Sequence, residues 1–403
     1  MKRSTHRILT THVGSLARPD SLIPILRAKE RGQPYDAADF ARLAREAVAD
    51  AVRKQVEAGI DVVADGEQGR ASFFGYVVER FNGFERKPAR PGEEGTPRAT
   101  GREYLAFPDY YAWSERIAEW AGGRGGDRSH GVDTCTGPIS YKGLAAVQTE
   151  IENLKAALRG LPHEEVFMPA IAPSYIAATL PNEYYRTESE YEQAIADALR
   201  EEYKAIVDAG FILQIDDPRI VTQFDSFDPE PTAEEYRRFA ELGVEALNHA
   251  LAGIPEDRVR YHVCWGSWHG PHTTDIPFRD IAAVILKVRA QAFCIESANP
   301  RHAHEYHYWE DHELPDGKII IPGVIAHTTR CVEHPELVAD RIVAFAGLVG
   351  RENVIAGVDC GFAQSYDVQR VHPTIMWEKF RVLAEGARLA TKRLWGSTTS
   401  RLE

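Results

Sequence analysis

The sequence predicts a (β/α)8 barrel with a long insertion near residues 85–130. Three observations carry that expectation. Short apolar runs alternate with amphipathic helical stretches along the whole chain, the pattern of a parallel α/β architecture. The runs keep recurring to the far end of the chain. Polar and glycine residues cluster at their C-terminal ends, where a barrel carries its chemistry. At this length, 1–403 reads as one barrel with no second one.

Nine runs compete for eight places: residues 7–15, 61–67, 132–138, 166–174, 211–218, 259–267, 292–300, 319–327 and 354–361. One of the first four must therefore lie outside the barrel. Between the runs, the stretches Asp39 to Ala58, Glu188 to Ala209 and Ala233 to Ala252 place apolar residues at three- and four-residue steps. They are rich in Ala, Glu and Arg, which favour helix. Residues 85–130 break the rhythm with ERKPARPGEEGTPRATGRE and AGGRGGDRS. A stretch this long reads either as a surface excursion or as a lid or subunit arm beside the active site.

Composition excludes several classes of function. Forty-four per cent hydrophobic residues over 403 positions suffice for a large core. A balance of 47 Lys and Arg against 60 Asp and Glu leaves a net charge of −13, which repels nucleic acid and anionic membranes. No apolar run is long enough to span a bilayer. The N-terminal residues Met1 to His6 are basic but lack the apolar stretch of a secretory signal, so the expected location is the cytoplasm. The five cysteines form no CxxC and no paired framework. In a reducing compartment they are buried thiols, metal ligands or nucleophiles.

The chemistry begins at His262-Val263-Cys264, which closes an apolar run. Residues two apart on a strand share a face, so both side chains reach the barrel mouth together. From Cys264 the next runs end in Glu296, His327 and Cys360, at steps of 32, 31 and 33 residues. Each step is about one strand, one helix and two loops. Metal-ligating residue types thus recur at the tips of four successive strands. Imidazole and thiolate are ligands that Zn²⁺ prefers.

Among these five candidates, His262, Cys264, Glu296 and Cys360 give one nitrogen, two sulfurs and one oxygen. Such an anionic set disfavours making hydroxide and suits holding a substrate thiol as thiolate. Glu296 is the hardest donor and the one to yield to an incoming sulfur. His327 then remains as a proton donor or acceptor. Cys294 lies deeper in its strand and reads as core, as does Cys135, while Cys331 follows a strand-end loop and reads as structural.

Asp65-Gly66-Glu67 and Asp216-Asp217-Pro218 also close apolar runs, where an uncompensated carboxylate is costly. They could grip an α-amine. The turn Thr11-His12-Val13-Gly14-Ser15 could offer N–H groups and a hydroxyl to a carboxylate. Together these features outline a pocket for an amino acid whose thiol reaches the metal.

The ordered set TTHVGS, DGEQGR, QIDDP, HVC, IESANP, GVIAH and VDCG, spread over residues 8 to 365, resembles the catalytic barrel of the cobalamin-independent methionine synthase family. The resemblance implies a zinc ion on His262, Cys264, Glu296 and Cys360. It implies a homocysteine pocket at Ser15, Glu67 and Asp216, and an active-site histidine at His327. The activity it implies is transfer of an alkyl group, methyl first, from a small-molecule donor to a thiol, as in methionine biosynthesis. Departures from the family pattern are the single barrel, QIDDP in place of QIDEP, and the loop Trp265 to His272. Single-barrel relatives that add coenzyme M to epoxides keep a second thiol chemistry open. A non-catalytic zinc-binding barrel is the alternative from outside enzymology. A decarboxylase barrel of the uroporphyrinogen type would not need the two cysteines.

Overall fold

The computed structural model describes residues 1–88, 101–117 and 131–396. Twelve strands follow in order: β1 (Leu9–Thr10), β2 (Val62–Val63), β3 (Phe81–Lys87), β4 (Val132–Tyr141), β5 (Glu165–Ile171) and β6 (Ile212–Asp216). Then come β7 (Val259–Val263), β8 (Ala292–Ile295), β9 (Ile319–Ile325), β10 (Ile355–Val358), β11 (Ala363–Ser365) and β12 (Val368–Gln369). Eight form a single parallel sheet in the order β1-β10-β9-β8-β7-β6-β5-β2. A parallel bridge between Thr11 and Val62 joins its two edges, so the sheet closes into the expected barrel.

The run at 132–138 is the one left outside. It belongs to β4, which pairs antiparallel with β3 as a separate two-stranded ribbon. Barrel strands are covered on both faces, and β6 through β10 are buried at every residue. In β4 most positions are half-buried or exposed, as suits a ribbon with one covered face. Cys135 is accordingly a buried residue of this ribbon, away from the barrel strands, where it pairs with Phe84.

The three helices expected from the sequence run Ala37–Glu57, Glu188–Asp208 and Ala233–Ala250, within a few residues of their expected bounds. Local chemistry starts them. The Asp36 carboxylate accepts from the amides of Ala38 and Asp39, and Thr187 accepts from Glu190. Thr232 and Glu235 form a reciprocal capping box. The first residues of the strands, including Leu9, Val62, Ile212, Ala292, Ile319 and Ile355, pack into small apolar clusters with Met1 against them. The N-terminal end of the barrel is thereby sealed, and Cys294 is part of that packing.

From the insertion, the helices Arg102–Ala106 and Pro108–Ile117 rest on the loop that follows β7. The Trp268 indole donates to Glu103 at 3.1 Å, Thr273 N donates to the same carboxylate at 3.2 Å, and the Tyr110 hydroxyl donates to the His269 carbonyl. Residues 101–117 of the insertion therefore pack against the loop that follows β7. The insertion's parts at 89–100 and 118–130 lie outside the described residues. Among the described residues, no helix is long and apolar enough to cross a membrane.

Candidate active site

The polar ends of the strands converge on one rim. β6 ends in Asp216, β7 delivers His262 and then Cys264, β8 is followed by Glu296, β9 by His327, and β10 by Asp359 and Cys360. All are buried, from 0% exposed for His327 to 7% for Asp216. A ring nitrogen of His262 and the sulfurs of Cys264 and Cys360 all lie within 4.8 Å of one another. The two sulfurs are 3.4 Å apart and unbridged. A hydrogen bond links them. The hydrogen bond between the two cysteines, aided by His262, holds Cys360 well below the usual thiol range, while the same bond and burial push Cys264 well above it. Ser267 Oγ donates to Cys360 at 3.3 Å.

A second trio adjoins the first. Ligand atoms of Glu296, His327 and Asp359 also lie within 4.8 Å of one another. Glu296 accepts from Trp265 N at 3.0 Å and from Asn299 Nδ2 at 2.7 Å, so its carboxylate touches the peptide next to Cys264. Asp359 Oδ1 accepts from the amides of Ser297 and Ala298, each at 2.8 Å, and its Oδ2 has no partner. Both ring nitrogens of the fully buried His327 also lack a partner. Burial raises the carboxyls of Glu296 and Asp359 and lowers the His327 imidazole to about 4.

Buried ring nitrogens and a carboxylate oxygen without a protein partner are costly, and a cation or a substrate would relieve them. One imidazole, two sulfurs and an adjacent carboxylate suit Zn²⁺. The residues therefore fit the ion, three of them as one cluster and Glu296 from the neighbouring one.

Asp216 lies beside His262 in the β6–β7 register. Its Oδ1 accepts from His262 Nδ1 at 2.9 Å and from Gln214 Nε2 at 2.8 Å. Arg260 donates in turn to Gln214 at 2.7 Å and lies over the Phe167 ring, so a buried polar layer underlies the site. Burial alone would lower the His262 imidazole, but Asp216 and Cys360 hold it well above its ordinary range.

Glu67 sits on the opposite wall. Its φ of 54° is left-handed, a conformation unusual for a residue with a side chain and found mainly where function demands it. Asp65 Oδ1 accepts from Glu67 N at 3.0 Å and holds the turn. Burial lifts the Glu67 carboxyl to about 7 against the pull of Arg18 and Arg70. Gly14, at φ 113°, passes close to this wall: a Cβ there would come within 2.8 Å of Pro169 and 3.5 Å of Glu67 Oε1. Ser15 Oγ donates to the Ala363 carbonyl and accepts from Arg18 at 2.9 Å. Arg18 also reaches Glu67 at 3.5 Å.

Sequence reasoning missed Arg18, Asp359 and Ser267. Each stands within three residues of a residue it singled out, but only the packing shows which way they face. Cys331 is exposed, and its carbonyl, not its thiol, makes the buried contact, to Lys379 Nζ at 2.6 Å.

Comparison with known proteins follows the same outline. The family model described as the cobalamin-independent synthase catalytic domain matches residues 8–89 and 172–375, on either side of the insertion. A methionine synthase of Sulfolobus acidocaldarius is 24% identical over 87% of this chain and 85% of its own. One from Saccharolobus solfataricus is 26% identical over 96% of this chain and 95% of its own. The solved B12-independent methionine synthase from a Shewanella species, in complex with selenomethionine, superposes with a TM-score of 0.68 at 19% identity, covering 96% and 99% of the two chains. A putative vitamin-B12-independent methionine synthase from Listeria monocytogenes gives 0.62 at 20% identity, covering 95% and 98%. These two superpositions establish a shared fold.

Proposed function

The chain belongs to the cobalamin-independent methionine synthase family, and from that premise we propose that it transfers a methyl group to the thiol of homocysteine with the help of zinc. The carrying observation is the cluster of His262, Cys264 and Cys360 at the catalytic end of a barrel, with Glu296 beside it. These four residues would hold the ion. Bound there, zinc would supply a soft Lewis acid that keeps a thiol ionised at neutral pH.

The protein's own groups complete the reading. Asp216 orients His262 so that its Nε2 faces the sulfurs. Glu67 and Asp216 are the carboxylates for an α-ammonium group, and Ser15, backed by Arg18, serves the α-carboxylate. His327, with both nitrogens uncommitted, is the group to pass a proton to or from a reacting atom. Trp265 and residues 101–117 of the insertion exclude water from the mouth.

The test is thiol selectivity. In weak buffer, homocysteine added to the zinc-loaded protein should release about one proton per site, and a methyl donor should then yield methionine. Coenzyme M should do neither. Proton release with coenzyme M but not homocysteine would replace this reading with the epoxide-opening one. Release with no thiol would overturn both.

A further inference from the structure

A cleft of about 230 Å³ opens on the outside of the barrel, between the Glu188–Asp208 and Ala233–Ala250 helices and the segment after β6. At its base lies Glu192, only 7% exposed, whose buried Oε1 has no hydrogen-bond partner. Of the other buried charges there, Asp217 has both oxygens engaged, and Arg219 has both terminal nitrogens engaged with its Nε left without a partner. Asp217 accepts from Ser174 Oγ at 3.1 Å and from the Tyr261 hydroxyl at 2.8 Å. Arg219 donates to the Ser174 carbonyl at 2.8 Å and to Glu188 at 2.7 Å, with its guanidinium over the Phe239 ring.

Gly243 borders the cleft next to Glu192. Glycine is the poorest helix former after proline, yet it stands in the middle of an 18-residue helix. A Cβ at this position would come within 3.6 Å of Glu192 Oε1 and 3.3 Å of Ser174 Cβ, and so would fill the approach to the carboxylate. The lining carries Glu188, Glu192, Asp217 and Glu245 against Arg219, so it is net negative. Phe239 and Leu242 add an apolar wall. An inorganic cation would want several free oxygens, and both oxygens of Asp217 are taken.

We propose that this cleft binds a small organic cation, an alkylammonium group that donates to Glu192 while its alkyl part lies along Phe239 and Leu242. The site is separate from the barrel mouth and does not depend on the function proposed above.

Calorimetric titration of the intact protein with n-butylammonium chloride tests it, with n-butanol and sodium butyrate as the uncharged and anionic controls. Saturable binding of the amine alone is expected. Glu192→Gln should weaken it about tenfold or more, the cost of losing a charge-assisted hydrogen bond. Gly243→Ala, which suits the helix and covers the carboxylate, should weaken it as well. That second variant keeps the test decisive if Glu192→Gln does not fold. Binding unchanged in the variants would place the amine at other acids, such as those of the barrel mouth, and overturn the proposal. Equal binding of butanol or butyrate, or no saturable binding of the amine, would also overturn it.

Discussion

Asp216 Oδ1 stands 2.9 Å from His262 Nδ1, and this pairing leaves the other ring nitrogen of His262, 3.4 Å from the Asp359 carbonyl, uncommitted to a side chain beside the two cysteines. A carboxylate behind a ligating histidine fixes its tautomer and raises its basicity. Asp216→Ala should therefore weaken zinc binding about 10- to 100-fold, measured by chelator competition without any thiol present. Asp216→Asn, which can still accept from Nδ1, should lose less. Unchanged zinc affinity in the alanine variant would restrict Asp216 to substrate binding.

Cys264→Ser and Cys360→Ser test the sulfur ligands. Zinc content should fall from about one per chain to nearly none, while the circular dichroism of the barrel stays as in the parent. The rim residues lie at the open end of the barrel, outside the apolar clusters that seal its other end. Loss of folding together with the metal would mark the ion as structural.

Glu67→Gln should weaken binding of homocysteine about 10- to 150-fold, the range for a hydrogen bond to a charged group. A thiol of the same length without the amine should lose little. Equal losses for both would remove Glu67 from recognition of the ammonium.

Acid stability should depend on Glu150. It accepts from Arg70 at 2.9 Å and also from Arg80, and these two guanidinium groups hold its carboxyl at about 2 although burial pushes it up. The folded value lies below the unfolded one near 4.5. The stabilisation is therefore complete above that pH and disappears as pH falls towards 2. It should amount to on the order of 3 kcal/mol. Denaturant titrations of Glu150→Gln against the parent should show a gap at pH 7 that narrows below pH 4.5. A gap independent of pH would remove the charge from the explanation. Because Arg70 belongs to the turn that carries Glu67, the variant should also weaken homocysteine binding.

Much of the barrel and its rim was legible in the sequence because each strand is recorded locally. An apolar run buried on both faces ends in polar residues at the rim, and the 32-, 31- and 33-residue steps from Cys264 to Cys360 are the length of one strand-helix repeat. That periodicity is enough to bring His262, Cys264, Glu296, His327 and Cys360 to one end of one barrel.

Tertiary structure alone decided what depends on neighbours distant in sequence. The run at 132–138 is β-branched enough, with Val132, Thr134 and Thr136, to pass for a barrel strand, and its pairing with Phe81–Lys87 is what places it outside. Glu296 and Asp216 read from sequence as a ligand and a substrate contact. Packing groups Glu296 with His327 and Asp359, and the β6–β7 register sets Asp216 against His262. The side chain of Arg18 turns back to Ser15 and Glu67 for the same reason. Burial pattern is a property of each segment and survives in its sequence. Which side chains meet across the rim depends on strand register and barrel closure, and these are settled only when the segments pack together.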